Sequence, residues 1–217
     1  MEIHPLEGGI HSLKQFLLHL LTITVGILIA LGLETSVQWA HHRALVREAQ
    51  ANLAAEIQEN QRELETRLQQ VEDTKRELRE IAMFTRDMRS GPKEQSKRVT
   101  LGWRLAELHS TSWDTANATG AAAYMDYDTV KRYTEIYDRQ KQFLTVQDRG
   151  LQASLDLNGI FGAAFRPAFQ IKESARPTDY ELREIQRATA MTMVDAAAVQ
   201  QIGQRLLANY GKFKSER

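Results

Sequence analysis

The sequence predicts an all-α protein in which an N-terminal transmembrane helix continues into a long helix, packed with later helices as an elongated antiparallel bundle. Three observations predict this fold. Apolar residues recur at three- and four-residue spacing through long charged stretches, as on amphipathic helices. Only four prolines interrupt the 217 residues. One uncharged apolar run lies near the N-terminus.

The composition disfavours several classes of function. Basic and acidic residues number 28 each, so the formal net charge is zero, whereas a nucleic-acid-binding protein needs a basic surface to neutralise phosphates. The chain has no cysteine, which removes disulfides, thiolate metal sites and cysteine nucleophiles. Phosphate-binding loops, nucleophile elbows and the paired-histidine zinc motif are absent from the sequence. We therefore expect no nucleic-acid partner, no metal, no cofactor and no enzymatic activity.

A tail of residues 1–14 precedes the uncharged run at 15–33. Nineteen helical residues at about 1.5 Å each span roughly 28 Å, close to the hydrocarbon thickness of a bilayer. We interpret residues 15–39 as a transmembrane helix with Trp39 at its interface. The alternative is a signal peptide cleaved at the small residues 30–32, but the run is longer than the usual apolar core of about 7 to 15 residues.

The charges beside the apolar run leave its orientation nearly balanced. Lys14 precedes the run, and Arg43 and Arg47 follow it. Because long soluble domains translocate largely regardless of their charge, the prediction leans towards a periplasmic bundle.

One face of the membrane helix carries small and polar side chains. Its members recur at three- or four-residue spacing and are His19, Thr22, Gly26, Ala30 and Glu34. Small residues let a second backbone approach closely, and polar residues bond across a helix pair, so this face predicts self-association. The alternative is a proton or ion path through His19 and Glu34. Glu34, however, lies where it reaches water, which favours the helix contact.

The charged stretch 40–90 contains a narrow apolar stripe and predicts a long juxtamembrane helix. The stripe comprises Leu53, Ile57, Leu64, Leu68, Val71, Leu78, Ile81, Phe84 and Met88. Asn60, Arg67 and Thr74 interrupt it, where a self-contained coiled coil needs apolar residues. The stripe therefore packs either on a second copy or on later helices of the same chain.

Residues 91–217 predict the remaining helices of the bundle. Gly91-Pro92 ends the long helix, and a shorter helix is expected at about 93–109. The segment 110–128 is small and weakly charged, and it predicts a tightly packed, buried helix.

Two long amphipathic helices complete the chain. The first is predicted from about 126 to 165, with core positions Tyr127, Val130, Tyr133, Tyr137, Leu144, Leu151, Leu155, Phe161 and Phe165. The last begins with a capping box from Thr178 to Glu181. Its unbroken stripe comprises Leu182, Ile185, Thr189, Thr192, Ala196, Val199, Gly203, Leu206, Tyr210 and Phe213. The small middle of this stripe predicts the closest packing near Ala196 and Gly203.

The first candidate site combines an aromatic wall with a few polar groups and little bulk, which is typical of a small-molecule pocket. It comprises Trp113, Asp114, Asn117, Thr119, Gly120 and Tyr124. The alternative, a well-packed helix whose N-terminal carboxylate complements the helix dipole, is the favoured interpretation.

Two further clusters carry less specific patterns. His41 and His42, with Glu34, are weak metal candidates, because adjacent helical residues point about 100° apart. Histidines that contact lipid headgroups or a neighbouring subunit are the favoured interpretation. The tyrosines and carboxylates of 126–138 lack a catalytic motif, which favours the ordinary core and solvated faces of a helix.

Three motifs carry a resemblance: Gly32-Leu33-Glu34 at the end of the apolar run, His41-His42-Arg43, and the segment 113–120. With them, the chain resembles a group of uncharacterised bacterial single-pass membrane proteins that share a short tail, a GLE-ending membrane helix and a helical domain. The resemblance touches most of the chain. It implies a bacterial inner-membrane setting and brings no activity, ligand or catalytic residue.

These observations predict a non-catalytic, membrane-anchored scaffold or accessory subunit. Its expected partners are the lipid bilayer, further copies of itself and another membrane protein. The alternative hypothesis is a sensory or small-ligand-binding bundle, with its pocket around Trp113, that transmits a signal through the membrane helix.

Overall fold

The computed structural model describes residues 13–90, 101–165 and 177–215. Within these ranges the chain forms four α-helices and one short 3-10 helix, and no β-strand. The elements are α1 (Leu13–Ser90), α2 (Thr111–Ala118), the 3-10 helix (Ala121–Tyr124), α3 (Tyr127–Ala164) and α4 (Asp179–Ser215). The predicted all-α bundle is confirmed.

α1 is one unbroken helix of 78 residues, about 117 Å long at 1.5 Å per residue. All side chains at 13–40 are exposed, whereas the stripe that begins at Leu53 is buried. No glycine or proline lies between 33 and 90, so nothing in the sequence breaks the hydrogen-bond ladder there. The predicted continuity between the apolar helix and the charged helix is confirmed.

α4 packs against both α1 and α3 and runs antiparallel to α1. Arg89, at the end of α1, pairs with Asp179 at the start of α4 (2.8 Å). At the other end of the bundle, the ring of Phe213 on α4 packs on Tyr133, near the start of α3 (centroids 5.0 Å apart). We call the end of the bundle next to residue 40 the near end and the opposite end the far end.

The buried stripe of α4 matches its sequence prediction. Leu182, Ile185, Thr189, Thr192, Ala196, Val199, Gly203, Leu206 and Tyr210 are buried, and Phe213 is half-buried. The capping box forms, because Glu181 N–H donates to Thr178 Oγ1 (3.2 Å) and Thr178 N–H donates to the Glu181 carboxylate (2.7 Å). A Cβ added at Gly203 would lie 2.8 Å from Leu68 on α1 and 3.0 Å from Phe143 on α3. The close packing predicted near Gly203 is therefore confirmed.

The helix predicted at 93–109 is wrong where the structure describes it, and residues 93–100 lie outside the described residues. Residues 101–110, which we call the strap, form no helix. Leu101, Ala106 and Leu108 of the strap are nevertheless buried. The strap lies between α1 and α3, in the place that a fourth helix would occupy in an antiparallel bundle.

Side-chain amides of α1 and α3 supply the hydrogen bonds that a helix would have made internally. Asn60 makes two bonds to the backbone of His109, accepting from its N–H (2.8 Å) and donating to its carbonyl (2.7 Å). Gln147 makes the same pair with Ala106, at 2.8 and 3.1 Å. Gln140 donates a further bond to the His109 carbonyl (2.9 Å). Buried backbone polar groups need such partners, and here they come from distant parts of the chain.

The strap is nearly extended and antiparallel to both helices. Along α1 its partners run from Glu77, which accepts from Gly102 N–H (3.2 Å), back to Asn60 at His109. That part of α1 rises about 26 Å, and the seven strap residues, if extended, cover about 23 Å. Seven residues of a helix rise about 10.5 Å, which is close to the length of about 10 Å covered by three extended residues. Gln140 and Gln147, seven residues apart on α3, accordingly bond to His109 and Ala106, three residues apart in the strap.

Trp103 lies in the middle of the strap, between a buried arginine and a glycine. The Arg67 guanidinium carbon is 5.1 Å from the centre of the Trp103 ring. On the other side a Cβ added at Gly150 would collide with the indole, so only glycine fits there. Arg67 is 1% exposed, and none of its three guanidinium nitrogens has a hydrogen-bond partner in the described chain. Burial, together with the nearby charge of Arg104, lowers the pKa of Arg67 to about 10.

α3 buries a face that only partly matches the predicted one, since Tyr133 and Tyr137 are buried as predicted. Tyr127 is 80% exposed and Leu155 is 53% exposed, although both were expected in the core. The buried positions include the polar residues Gln140, Gln147 and Ser154, because this face of α3 meets the strap backbone as well as apolar side chains.

α2 is mostly exposed, and Ala116 is its one buried residue. The prediction of a buried helix at this place is therefore wrong. α2 lies across α1 at the near end of the bundle, and its small side chains leave an open cleft instead of filling the gap.

Candidate functional site

A cleft of about 550 Å³ lies between α1 and α2 at the near end. Its lining residues are Leu45, Glu48, Ala49, Asn52, Ala55, Glu56, Glu59, His109, Thr111, Ser112, Thr115, Ala116 and Thr119. α1 contributes three carboxylates, α2 contributes three hydroxyls, and Thr119, just after α2, adds a fourth hydroxyl. This combination suits a cationic or hydroxyl-bearing small molecule.

Glu56 forms the inner wall of the cleft and is 8% exposed. One carboxylate oxygen accepts from Ser112 N–H (2.9 Å) and the other accepts from the Tyr137 hydroxyl (2.6 Å). Burial first, and then the bond to Glu56, raise the pKa of Tyr137, so its hydroxyl remains a donor at neutral pH. Both Glu56 oxygens are engaged, and this residue therefore holds α2 and α3 on α1.

The six residues predicted as a pocket do not converge on this cleft, and Thr119 alone lines it. Trp113 packs into the core instead, with its ring stacked on Tyr137 (centroids 5.9 Å apart, planes 6° apart) and tilted against Tyr133 (5.8 Å). The aromatic group of the predicted pocket is thus part of the packing between α2 and α3.

The polar members of the predicted pocket make local bonds. Asp114 accepts from the Ser110 hydroxyl (2.9 Å), and Asn117 donates to the Trp113 carbonyl (2.8 Å). Gly120 has a φ of +77°, a left-handed conformation that suits glycine, and it turns the chain from α2 into the 3-10 helix. These contacts shape the turn between the two elements.

A second cavity of about 400 Å³ lies closer to the apolar segment, between α1 and the 3-10 helix. We call it the basic cavity. Its charged lining residues are Arg43, Arg47 and Asp126, with His42 beside them. Tyr124, the last member of the predicted pocket, closes one side, because its ring stacks on His42 (centroids 3.7 Å apart, planes 16° apart).

The weak metal candidates point apart. The rings of His41 and His42 are 6.1 Å apart and tilted by 54°. The Glu34 carboxylate accepts a bond from Gln38 (3.3 Å). Within the part of the chain that the structure describes, no three histidine or carboxylate groups come together as metal ligands would.

The face predicted to associate within the membrane is fully exposed along α1, and so are its neighbours. Thr22 donates its hydroxyl hydrogen to the Leu18 carbonyl (2.9 Å), which leaves the oxygen as an acceptor. Gly26 has nothing within 4 Å of the place where a Cβ would stand. The face is therefore open to a second helix.

The polar residues of α1 beside the strap were recognised in the sequence only as interruptions of an apolar stripe, and the buried polar residues of α3 were missed. The available signal was a seven-residue recurrence of polar residues in two separate helices. The members are Asn60, Arg67 and Thr74 on α1, and Gln140, Gln147 and Ser154 on α3. All six are buried in the structure. Paired polar repeats of this kind indicate a shared polar partner between two helices.

The fold and cavities define the class of protein: an all-α bundle extended by one helix that is long and apolar enough to cross a membrane, with a mean hydropathy of 2.4 over its best window. Comparison with protein-family models, with curated proteins and with solved structures found no match.

Proposed function

We propose that this chain is a non-catalytic, single-pass protein of the bacterial inner membrane that acts as an oligomeric scaffold or accessory subunit. The bundle stands on the periplasmic side. The face defined by His19, Thr22, Gly26, Ala30 and Glu34 makes the contact between copies or with another membrane protein.

One observation carries this proposal: the apolar part of α1 is wholly exposed and continues without a break into the bundle. A contiguous apolar surface of that size is not stable in water, whereas a bilayer of about 30 Å hydrocarbon thickness accommodates it. Because the helix is continuous, a contact made inside the membrane is expected to constrain the position of the bundle outside it.

Disulfide cross-linking in native membranes tests the contact, because the chain has no cysteine of its own. Ala30→Cys lies on the proposed face, and we expect oxidation to yield a covalent dimer. Leu28→Cys is the control, since it lies at similar depth but about 200° around the helix. Equal cross-linking at both positions, or none at Ala30→Cys, would contradict self-association through this face.

A second pair of variants tests the same contact without cysteine. Gly26→Leu adds a leucine side chain on the proposed face, and Gly32→Leu adds the same side chain away from that face. We expect native mass spectrometry in mild detergent to find fewer oligomers for Gly26→Leu only.

A single cysteine at exposed Lys131, labelled in spheroplasts with a membrane-impermeant maleimide, tests the periplasmic position of the bundle.

The cleft between α1 and α2 favours a second candidate function, the binding of a small cationic or hydroxyl-bearing ligand. Its volume of about 550 Å³ lies within the range of ligand pockets. We expect Thr115→Trp to fill the cleft and to abolish any small-molecule adduct that co-purifies with the wild-type protein. An adduct that survives this substitution would place its site elsewhere.

A further inference from the structure

The basic cavity lies just beyond the apolar segment. It is lined by an aromatic ring, two guanidinium groups and the turn of the chain before α3. Arg43 lies over the Trp39 ring, with its guanidinium carbon 4.7 Å from the ring centre. Arg47 follows one turn later, and its Nε donates to the Arg43 carbonyl (3.3 Å). Neither arginine is ion-paired with a carboxylate among the described residues.

The wall opposite the arginines is fixed in place. Tyr124, on the 3-10 helix, stacks on His42 of α1, so the chain between α2 and α3 is held against α1 at this height. Asp126, next along the chain, caps α3 by accepting from Thr129 N–H (2.9 Å), and the hydrogen bonds to Thr129 lower its pKa. Two permanent positive charges therefore face one negative charge, and the cavity keeps a net positive charge.

The arginines of the cavity lie just beyond the headgroup layer of a bilayer, and their side chains reach back towards it. Arg43 follows Leu33, the last residue of the uncharged run, by about 15 Å of helix, and Arg47 follows it by about 21 Å. Helical side chains lean towards the helix N-terminus, which for α1 is the direction of the membrane, so an arginine side chain reaches several ångströms back. The headgroup layer occupies roughly the first 5 to 8 Å outside the hydrocarbon, and Trp39 lies at that level.

We infer that the basic cavity binds the phosphodiester headgroup of an anionic phospholipid, held by Arg43 and Arg47 with Trp39 beside its glycerol region. This inference rests on the membrane anchoring proposed above. A planar guanidinium donates two parallel hydrogen bonds to phosphate oxygens, and a pair of arginines one turn apart favours an anionic lipid over a zwitterionic one. An annular lipid would exchange freely, whereas a lipid in this cavity stays with the protein in detergent.

Native mass spectrometry of the full-length protein tests the inference, in mild-detergent micelles that contain either phosphatidylglycerol or phosphatidylethanolamine. We expect the wild type to retain one phosphatidylglycerol and the double variant Arg43→Gln, Arg47→Gln to bind it about 30-fold more weakly, the effect of two charges beside an anionic membrane. Arg62→Gln with Arg79→Gln is the matched control, because both are exposed on the same helix away from the cavity. Equal retention of both lipids, or an equal loss in the control, would overturn the inference.

Two further experiments distinguish a lipid phosphate from free phosphate, and lipid binding from membrane anchoring. Inorganic phosphate at millimolar concentration should not displace the lipid, and displacement would identify a soluble phosphate site instead. Carbonate extraction of native membranes tests anchoring alone, and the arginine variants should remain in the pellet with the wild type. Release of the wild type would contradict the anchor, while the micelle measurement would still report on the cavity.

Discussion

Arg67 is a charged residue that is almost completely buried. A buried charge without a partner lowers the stability of a folded protein, and among the described residues the Trp103 ring is the one compensating contact of this guanidinium. Its lowered pKa has the same cause, because burial disfavours the charged form.

We therefore expect Arg67→Met to raise the free energy of unfolding by about 1 to 3 kcal/mol, since methionine keeps much of the volume under Trp103 and removes the buried charge. Arg62→Met, at an exposed position, should change it by less than about 0.5 kcal/mol. Urea unfolding followed by circular dichroism measures both. A large loss of stability in Arg67→Met would mean that the guanidinium has a stabilising partner, such as a bound anion.

Tyr137 and Tyr210 predict how the protein responds to alkali. Burial is the main cause that raises the pKa of both hydroxyls. In the unfolded chain a tyrosine ionises near pH 10, so the folded state holds more protons above that pH. The stabilisation is complete below pH 10 and is lost as the pH rises further.

Tyr137→Phe should flatten this fall in stability above pH 10 by up to about 1.4 kcal/mol per pH unit, the contribution of one proton. Arg67 acts in the opposite direction between pH 10 and 12.5, but it is common to both proteins and cancels in the comparison. Unfolding curves from pH 8 to 11.5 measure the slope, with Tyr180→Phe at an exposed position as the control. An unchanged slope in Tyr137→Phe would contradict the buried donor.

At the scale of elements, the strap is held by hydrogen bonds from a few side-chain amides rather than by hydrogen bonds within its own backbone. Gln147→Leu would leave both the N–H and the carbonyl of Ala106 without partners, and each buried unpaired group costs about 1 to 3 kcal/mol. We expect a loss of about 2 to 5 kcal/mol in the free energy of unfolding. Gln152→Leu, on the exposed side of α3, is the matched control and should change little. An equal change in the free energy of unfolding for both variants would mean that the hydrogen bonds to the strap do not stabilise the fold.

The contrast between α4 and the strap explains how far the sequence predicts this fold. The α4 stripe, its capping box and the close approach at Gly203 all follow from local spacing, and all are confirmed. The strap was predicted as a helix because Trp103, Ala106 and Leu108 also fit helical spacing. Its hydrogen-bond partners lie about 30 to 50 positions away in the chain, where local patterns carry no information.

The same reasoning applies to the sites. A cavity made by two elements depends on where the chain turns, and the stacking of Tyr124 on His42 joins residues 82 positions apart. Composition identified the 110–128 segment as unusual and left Trp113 between a pocket and helix packing, and its ring packs on Tyr137. Local sequence thus located the near end of the bundle and did not predict which side chains face the cavities.

At the scale of the whole molecule, one continuous helix joins the apolar segment to the bundle. A helix without glycine or proline between 33 and 90 transmits rotation and translation, whereas a break near residue 40 would let the bundle move independently of the membrane. Residues 13–40, at the start of α1, are exposed and have no packing partner in the described chain. The continuity of this segment therefore depends on its own hydrogen bonds. Under the membrane anchoring proposed above, the stiffness of this junction decides whether changes in the bilayer reach the cavities at the near end.

Pulsed electron spin resonance measures that stiffness, because the absence of cysteine allows two labels to be placed freely. Labels at Thr35→Cys and Arg62→Cys span the junction, and labels at Glu59→Cys and Arg86→Cys span the same number of residues inside the bundle. Both pairs should give a distance of about 40 Å, the rise of 27 helical residues. We expect distributions of similar width in lipid nanodiscs. A shorter and broader distribution for the first pair would mean that α1 hinges between the apolar segment and the bundle, and that the bundle is tethered rather than rigidly held.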